Sequence, residues 1–425
     1  MTTVRKRHTP LYMFYATTFL SVTGNVLASL AIPWFVLQTT GSAAQTGITA
    51  FFSILPVVIG TAFGGTLVDR MGYKRASIIA DVASGLTVAL IPLLFALDLL
   101  PFWGLLTLVF LGALLDAPGN SARFALIPET AALAGISLDR ATGINGLLQR
   151  ATSLAGAPAA GLLIASIGAI NLLWFNAATF FVSAIGIAIA IPTDLVEAEI
   201  DPEANKSAPK TSYWQELRDG FRFVKQDALI LSFIGVIMLT NMTDAAIFSV
   251  MLPVYTSETY GVERGATLLG FAIGMLGGGA VIGSLIYTTF VTRLPRRKTF
   301  TLCFLLIGFY PLLLSTPLPP LLLLIGFTIM GLFASPLNPI IQSVMYERVP
   351  QNMRGRVFGL TTSGVQIAMP FGALIAGYAV EIAGLPFTVI GFSIVSIFAV
   401  FTLTVNPAMK DMANQPVAAS GNVEL

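Results

Sequence analysis

The stretch GGTLVDRMGYKR, Gly64 to Arg75, joins two long apolar runs, FFSILPVVIGTAF before it and ASIIADVASGLTVALIPLLFAL after it. It gathers Asp69, Arg70, Tyr73, Lys74 and Arg75 into one short connector, in a chain of which only 10% is Asp, Glu, Lys or Arg. Soluble domains carry roughly a quarter charged residues. Here 55% of the residues are hydrophobic and the mean hydropathy is +0.83. The apolar residues come in blocks of about 20, the length that crosses roughly 30 Å of hydrocarbon at 1.5 Å per residue. The chain therefore reads as an all-α, polytopic membrane protein, and the charged stretch as a connector between two spans. The first apolar run has spanning length and no small-residue cleavage site behind it, so no cleavable signal peptide is expected.

Working outward from this connector, hydropathy places twelve spans at about 11–37, 45–68, 76–97, 102–123, 141–166, 170–191, 228–254, 267–291, 299–316, 320–345, 356–380 and 386–405. All but two of the 23 Lys and Arg residues fall at the termini, in the even-numbered connectors, or at the span ends bordering them. The exceptions are Arg264, in an odd-numbered connector, and Arg150, inside span 5. Basic residues favour the cytoplasmic side, so both termini and the long central loop are expected in the cytoplasm, with the spans in a bacterial inner membrane.

The expected organisation is a six-span bundle over residues 1–191, a linker over 192–227, a second bundle over 228–405 and a disordered tail over 406–425. Within the linker, YWQELRDGFRFVKQ spaces Trp214, Leu217, Phe221 and Val224 on one helical face, which predicts an amphipathic helix lying on the membrane surface. The two bundles repeat weakly. Pro118 and Asn120 in DAPGNSARFALIPE align with Pro336 and Asn338 in ASPLNPIIQSVMYERVP, and APAAGLLIA around Pro158 aligns with AMPFGALIAG around Pro370. Parallel repeats with a site near the midplane are a secondary-transporter architecture.

Composition also excludes. One cysteine, Cys303, rules out a disulfide framework. One histidine, His8, rules out a His-based metal site or proton relay. No phosphate-binding GxxxxGK[ST] loop, HExxH or GxSxG element is present, so neither an ATP-driven pump nor an enzyme is expected.

With these residues in view, the chain resembles the major facilitator superfamily. The connector matches that family's G-x-L-x-D-R-x-G-x-[RK]-[RK] signature at Gly65, Leu67, Asp69, Arg70, Gly72, Lys74 and Arg75. AIPWFVLQTTGSAAQTG, DAPGNSARFALIPE and ERVPQNMRGRVFGL resemble the drug:proton antiporter branch, which holds the macrolide and Tap-type multidrug efflux pumps and the enterobactin exporter. The helix-5 antiporter element is partial: Gly156, Pro158 and Gly161 are present, while Ala157 and Leu162 stand where the pattern has glycines. The resemblance implies two pseudo-symmetric six-helix bundles with spans 1, 4, 7 and 10 around a central cavity. It also implies that Asp69 meets the start of span 11, near Arg354 and Arg356, as a cytoplasmic gate.

Charges inside a membrane need a partner or a wet cavity. Asp116 lies about 21 Å down span 4 and Arg150 about 14 Å up span 5, so the two are expected to pair, either as a proton carrier that breaks and reforms or as a permanent brace. Asp244 in span 7 is a second candidate for a proton or a cationic substrate. Asp81, near the basic end of span 3, reads as structural. Asn25, Asn120, Asn241 and Asn338 fall on the cavity spans, and Trp34 and Phe35 offer rings for stacking. The expected activity is proton-coupled export of an amphiphilic small molecule by alternating access, driven by the proton motive force with no bound cofactor or metal, by a monomer among membrane lipids that binds no nucleic acid. Export of a siderophore, lipid or metabolite, or uncoupled facilitation, stays open.

Overall fold

A computed structural model describes residues 9–191, 213–289 and 295–412, apart from the side chains of 61–67, 69, 70, 213–217, 352, 410 and 411. Among the described residues, twelve helical stretches are long and apolar enough to cross a membrane. Six come first: α1 (Thr9–Thr40), α2 (Ala43–Met71), α3 (Tyr73–Ala96), α4 (Phe102–Ala134), α5 (Leu138–Ile167) and α6 (Ala169–Ala190). The short α7 (Tyr213–Gln226) follows. Span 7 is α8 (Ala228–Ala246), a π-turn at Ile247–Met251 and α9 (Leu252–Tyr260). Span 8 is α10 (Val262–Thr289), and span 9 is α11 (Arg296–Phe309) ending in a 3₁₀ turn. Span 10 is α12 (Pro320–Ala334) with α13 (Leu337–Arg348); span 11 is α14 (Arg354–Gln366) with α15 (Met369–Ala383); span 12 is α16 (Leu385–Val405).

The expected connectors are where the helices part. Gly72 sits at φ +78°, outside the range comfortable for other residues, and lets α2 and α3 meet with a single residue between them. Gly135, Gly168, Gly261 and Gly384 end helices the same way. The chief difference from the sequence reading is α4, which runs eleven residues past the expected end at 123. Arg123, assigned by sequence to a connector, is inside this helix and buried. Part of the expected disordered tail is ordered: Pro407–Met412 form a 3₁₀ turn that buries Met409 and Met412. Residues 413–425 lie outside the described residues.

The amphipathic α7 packs on α14, where a Cβ at Gly220 would come within 2.8 Å of Leu360. Its buried side carries Val224, while Phe221, expected on that face, points outward. Asp227 then caps α8 through the Leu229 and Ile230 amides at 3.0 and 3.1 Å and accepts from Arg348 at 2.7 Å, fixing the corner to the end of α13.

Helices α1–α6 pack mainly on one another, as do α8–α16; between the two sets the contacts run mostly through α5 with α10 and α2 with α15. Both crossings are backbone on backbone. Gly161 lies against Ala266 and Gly270, and Gly47 against Ala373 and Gly377. Small residues are what permit such approach in a membrane. Both crossings sit toward the face opposite the one at which α1 begins and α6 ends, the connector face. On that connector face, no described atom lies within 4 Å of a Cβ built at Gly143 or Gly146 of α5, or at Gly355 or Gly359 of α14. Among the described residues the halves thus meet most closely toward the far face, and nearer the connector face a cleft of about 470 Å³ opens between α5 of one half and α10 and α13 of the other.

Candidate functional site

Asp116, Asn120 and Arg123 lie at i, i+4 and i+7 on α4, one face of the helix. Gly119 between them brings α3 so close that a Cβ there would sit 2.8 Å from that of Ala80, and this approach delivers the next α3 residue, Asp81, to Arg123. Arg123 donates through Nη1 to Asp81 Oδ1 at 2.5 Å and through Nη2 to Asp116 Oδ1 at 3.1 Å and Asn120 Oδ1 at 2.9 Å. Asp116 Oδ2 accepts from the amides of Asn25 on α1 and Asn120, both at 2.9 Å. One fork-shaped guanidinium thus joins two carboxylates, a geometry arginine offers and lysine does not.

The two acids are not equivalent. Asp81 is 0% exposed and Arg123 3%, while Asp116 is 14% exposed and borders a cavity of about 280 Å³ with Asn25, Ser29, Ser53 and Asn176. Three formal charges, two negative and one positive, are held in a low-dielectric interior. The cluster carries an excess formal negative charge, and its most exposed member is Asp116.

The expected Asp116–Arg150 pair does not form. Arg150 is exposed on α5 in the wall of the cleft, beside Gln149, Ser153, Asn338 and Gln342 around a cavity of about 470 Å³. The reason is helical phase: Asp116's own helix supplies a guanidinium two turns on, so none is needed from α5. Sequence reasoning missed Arg123 because hydropathy ended span 4 at that residue and counted it with the basic connector, although the i, i+7 spacing from Asp116 was there to be read.

Asp244 shares a face of α8 with Phe233 and Ile237, and Phe233 packs on Phe300 of α11 with ring centroids 5.2 Å apart. Its carboxylate therefore turns into the second half, away from Asp116, and makes no ion pair among the described residues. Asn241 donates to the Val365 carbonyl at 3.1 Å and ties span 7 to span 11. Asn338 borders both the cleft and a cavity of about 310 Å³ lined by Phe233, Gln342, Tyr346 and Thr361. Trp34 and Phe35, expected as stacking platforms, are buried in packing, with Phe35 edge-on to Phe95 at 5.0 Å.

Of the expected gate, the side chains of Gly65, Asp69 and Arg70 lie outside the described residues. Gly72 forms the turn, and Lys74 and Arg75 open α3. Arg354 is committed locally: it donates to the Val349 and Tyr346 carbonyls at 3.3 and 3.0 Å and stands over the Tyr346 ring at 5.3 Å. Arg356 lies beside Gly220 of α7. The helix-5 element lies partly in the seam: Pro158 packs on Gly274 and Gly161 on Gly270 of α10, while Gly156 packs within the first half on Val26 of α1.

The family model described as Major Facilitator Superfamily matches residues 14–309 and 278–419. The multidrug efflux pump Tap of Mycobacterium tuberculosis (strain ATCC 25618 / H37Rv) is 30% identical over 417 residues, covering 96% of each chain. Macrolide efflux protein A of Streptococcus pyogenes is 25% identical over 381 residues, covering 86% of this chain and 88% of that one. Among solved structures, the nucleoside transporter NupG superposes with a TM-score of 0.76 at 13% identity, over 94% of this chain and 99% of the other.

Proposed function

The chain belongs to the major facilitator superfamily, and from that premise we propose that it exports amphiphilic drug-like molecules across the bacterial inner membrane in exchange for protons, by alternating access. The observation that carries the proposal is the Asp81–Arg123–Asp116 cluster. Its surplus negative charge faces a cavity at Asp116. A proton neutralises that surplus, as does a cationic group on a substrate, so the two compete for one carboxylate. Competition of this kind is what antiport requires: the substrate leaves when the proton arrives. Relatives named as multidrug and macrolide efflux pumps support the outward direction and the breadth of cargo.

In this reading the basic connector face is cytoplasmic, and the cleft is an inward-facing entrance. Arg150, Asn338 and Gln342 are its polar walls, Asp244 serves the second half as a separate acidic site, and Asp69 closes the entrance by capping α14 near Arg356 in the opposite state.

The test is drug uptake into everted vesicles energised by a proton gradient. Wild type is expected to accumulate substrate and to lose the accumulation with a protonophore. Asp116→Asn is expected to lose gradient-driven uptake while still exchanging substrate across an unenergised membrane. Full gradient-driven uptake by Asp116→Asn sinks the coupling assignment.

A further inference from the structure

We propose that a slot between spans 8, 9 and 10, at the connector-face edge of the membrane, is a binding site for one anionic phospholipid. α12 packs on both α10 and α11 and floors the gap between them. α10 presses backbone to backbone on α12 at Gly279 and Gly283. Beyond that contact lies a cavity of about 340 Å³ whose walls include Ile286, Leu302, Cys303 and Phe333. Ile286 and Leu302 are exposed side chains of membrane-spanning helices, so the slot opens to hydrocarbon rather than to water. An acyl chain is the occupant that such a wall admits without leaving a polar group unpaired.

The rim decides which lipid. Lys298 lines the slot on the first turns of α11, one turn from the helix start and level with Tyr287 near the end of α10. Its ammonium is exposed and makes no ion pair among the described residues. The two arginines that precede it in α11 are already engaged. Arg296 holds both oxygens of Glu347 at 2.7 and 2.8 Å, and Arg297 donates to the Thr404 carbonyl at 3.2 Å. The nearby carboxylate is thus spent on Arg296, leaving Lys298 a cation at headgroup depth above an apolar slot. A phosphodiester of net negative charge completes that arrangement; a zwitterionic headgroup brings its own cation to the same place.

The experiment is native mass spectrometry of the detergent-purified protein with equimolar phosphatidylglycerol and phosphatidylcholine. Wild type is expected to retain one phosphatidylglycerol in preference to phosphatidylcholine by about fivefold, the scale of one basic residue at an anionic surface. Lys298→Gln, at an exposed position, is expected to remain folded and lose the preference. Leu302→Trp, which fills the slot, is expected to lose the bound lipid of either kind. Maleimide labelling of Cys303, the chain's one cysteine, gives an independent readout: phosphatidylglycerol is expected to slow it and inorganic phosphate to leave it unchanged. Equal retention of the two lipids by wild type, an undiminished preference in Lys298→Gln, or protection by phosphate alone overturns the proposal.

Discussion

Ser42 and Glu381, 339 positions apart in the chain, meet across the seam at 3.1 Å. The Ser42 hydroxyl donates to Glu381 Oε2 and accepts from the Gln45 amide, and the same carboxylate oxygen accepts from the Ala44 amide at 3.2 Å. Glu381 ends α15 in one half and caps the positive start of α2 in the other. Glu381→Gln is expected to weaken the closed far face and shift the population toward far-side opening by about two- to fivefold, the scale of an exposed charged contact. Distances between spin labels at the far ends of α2 and α15 measure it; an unchanged distribution counts against a latch.

Asp69 is expected to act as the mirror of Glu381, since α2 and α15 are antiparallel members of one seam. Asp69→Asn is expected to shift the same label distances toward a state open at the connector face, opposite in sign to Glu381→Gln. The double variant is expected to return near the wild-type balance.

Arg123 and Arg150 are separable by stability. Arg123→Met leaves Asp81 buried without its cation, which costs about 3–5 kcal/mol. Arg123→Lys is expected to recover only part, because one ammonium cannot span both acids and Asn120. Arg150→Gln, in the exposed cleft wall, is expected within about 0.5 kcal/mol of wild type. Denaturation in a mild detergent compares the three, and equal losses at both positions refute the assignment.

Gly161 meets Gly270 with no room for a side chain: a Cβ there would lie 2.6 Å from the Ala266 carbonyl oxygen and 3.0 Å from the Gly270 Cα. Gly161→Val is expected to wedge the far face apart and cut transport severalfold without unfolding either half. Gly143→Val, on the same helix where a Cβ meets nothing within 4 Å, is the control and is expected to leave the far face closed.

The span count was legible in the sequence because a bilayer forces it: each run had to reach about 20 apolar residues. The basic residues at even connectors marked the turns, and Gly72 fell where a positive φ was needed. Asp116 stood out as a candidate too, because an acid in a hydrophobic run has few innocent explanations. Its partner did not. Hydropathy sees where a helix leaves the hydrocarbon, whereas α4 continues eleven residues beyond the expected boundary. A residue such as Arg123 near that boundary is assigned outward or inward only once the neighbouring helix is known, and Gly119 set that neighbour's distance. Trp34 and Phe35 were misplaced for a related reason: periodicity names a face of α1 but not which of its neighbours covers it.

The helical irregularities within the described spans are confined to the second half. The π-turn divides span 7, a 3₁₀ turn ends span 9, and breaks at Ser335–Pro336 and Ile367–Ala368 divide spans 10 and 11. Their counterparts in the first half, α4 and α5, carry Pro118 and Pro158 without interruption. The half that holds the charge cluster is therefore built as an unjointed frame, while the other is jointed. Under the proposed function, variation in cargo shape would fall to the jointed half, and one fixed acid would serve molecules of many outlines without its own surroundings being rebuilt for each.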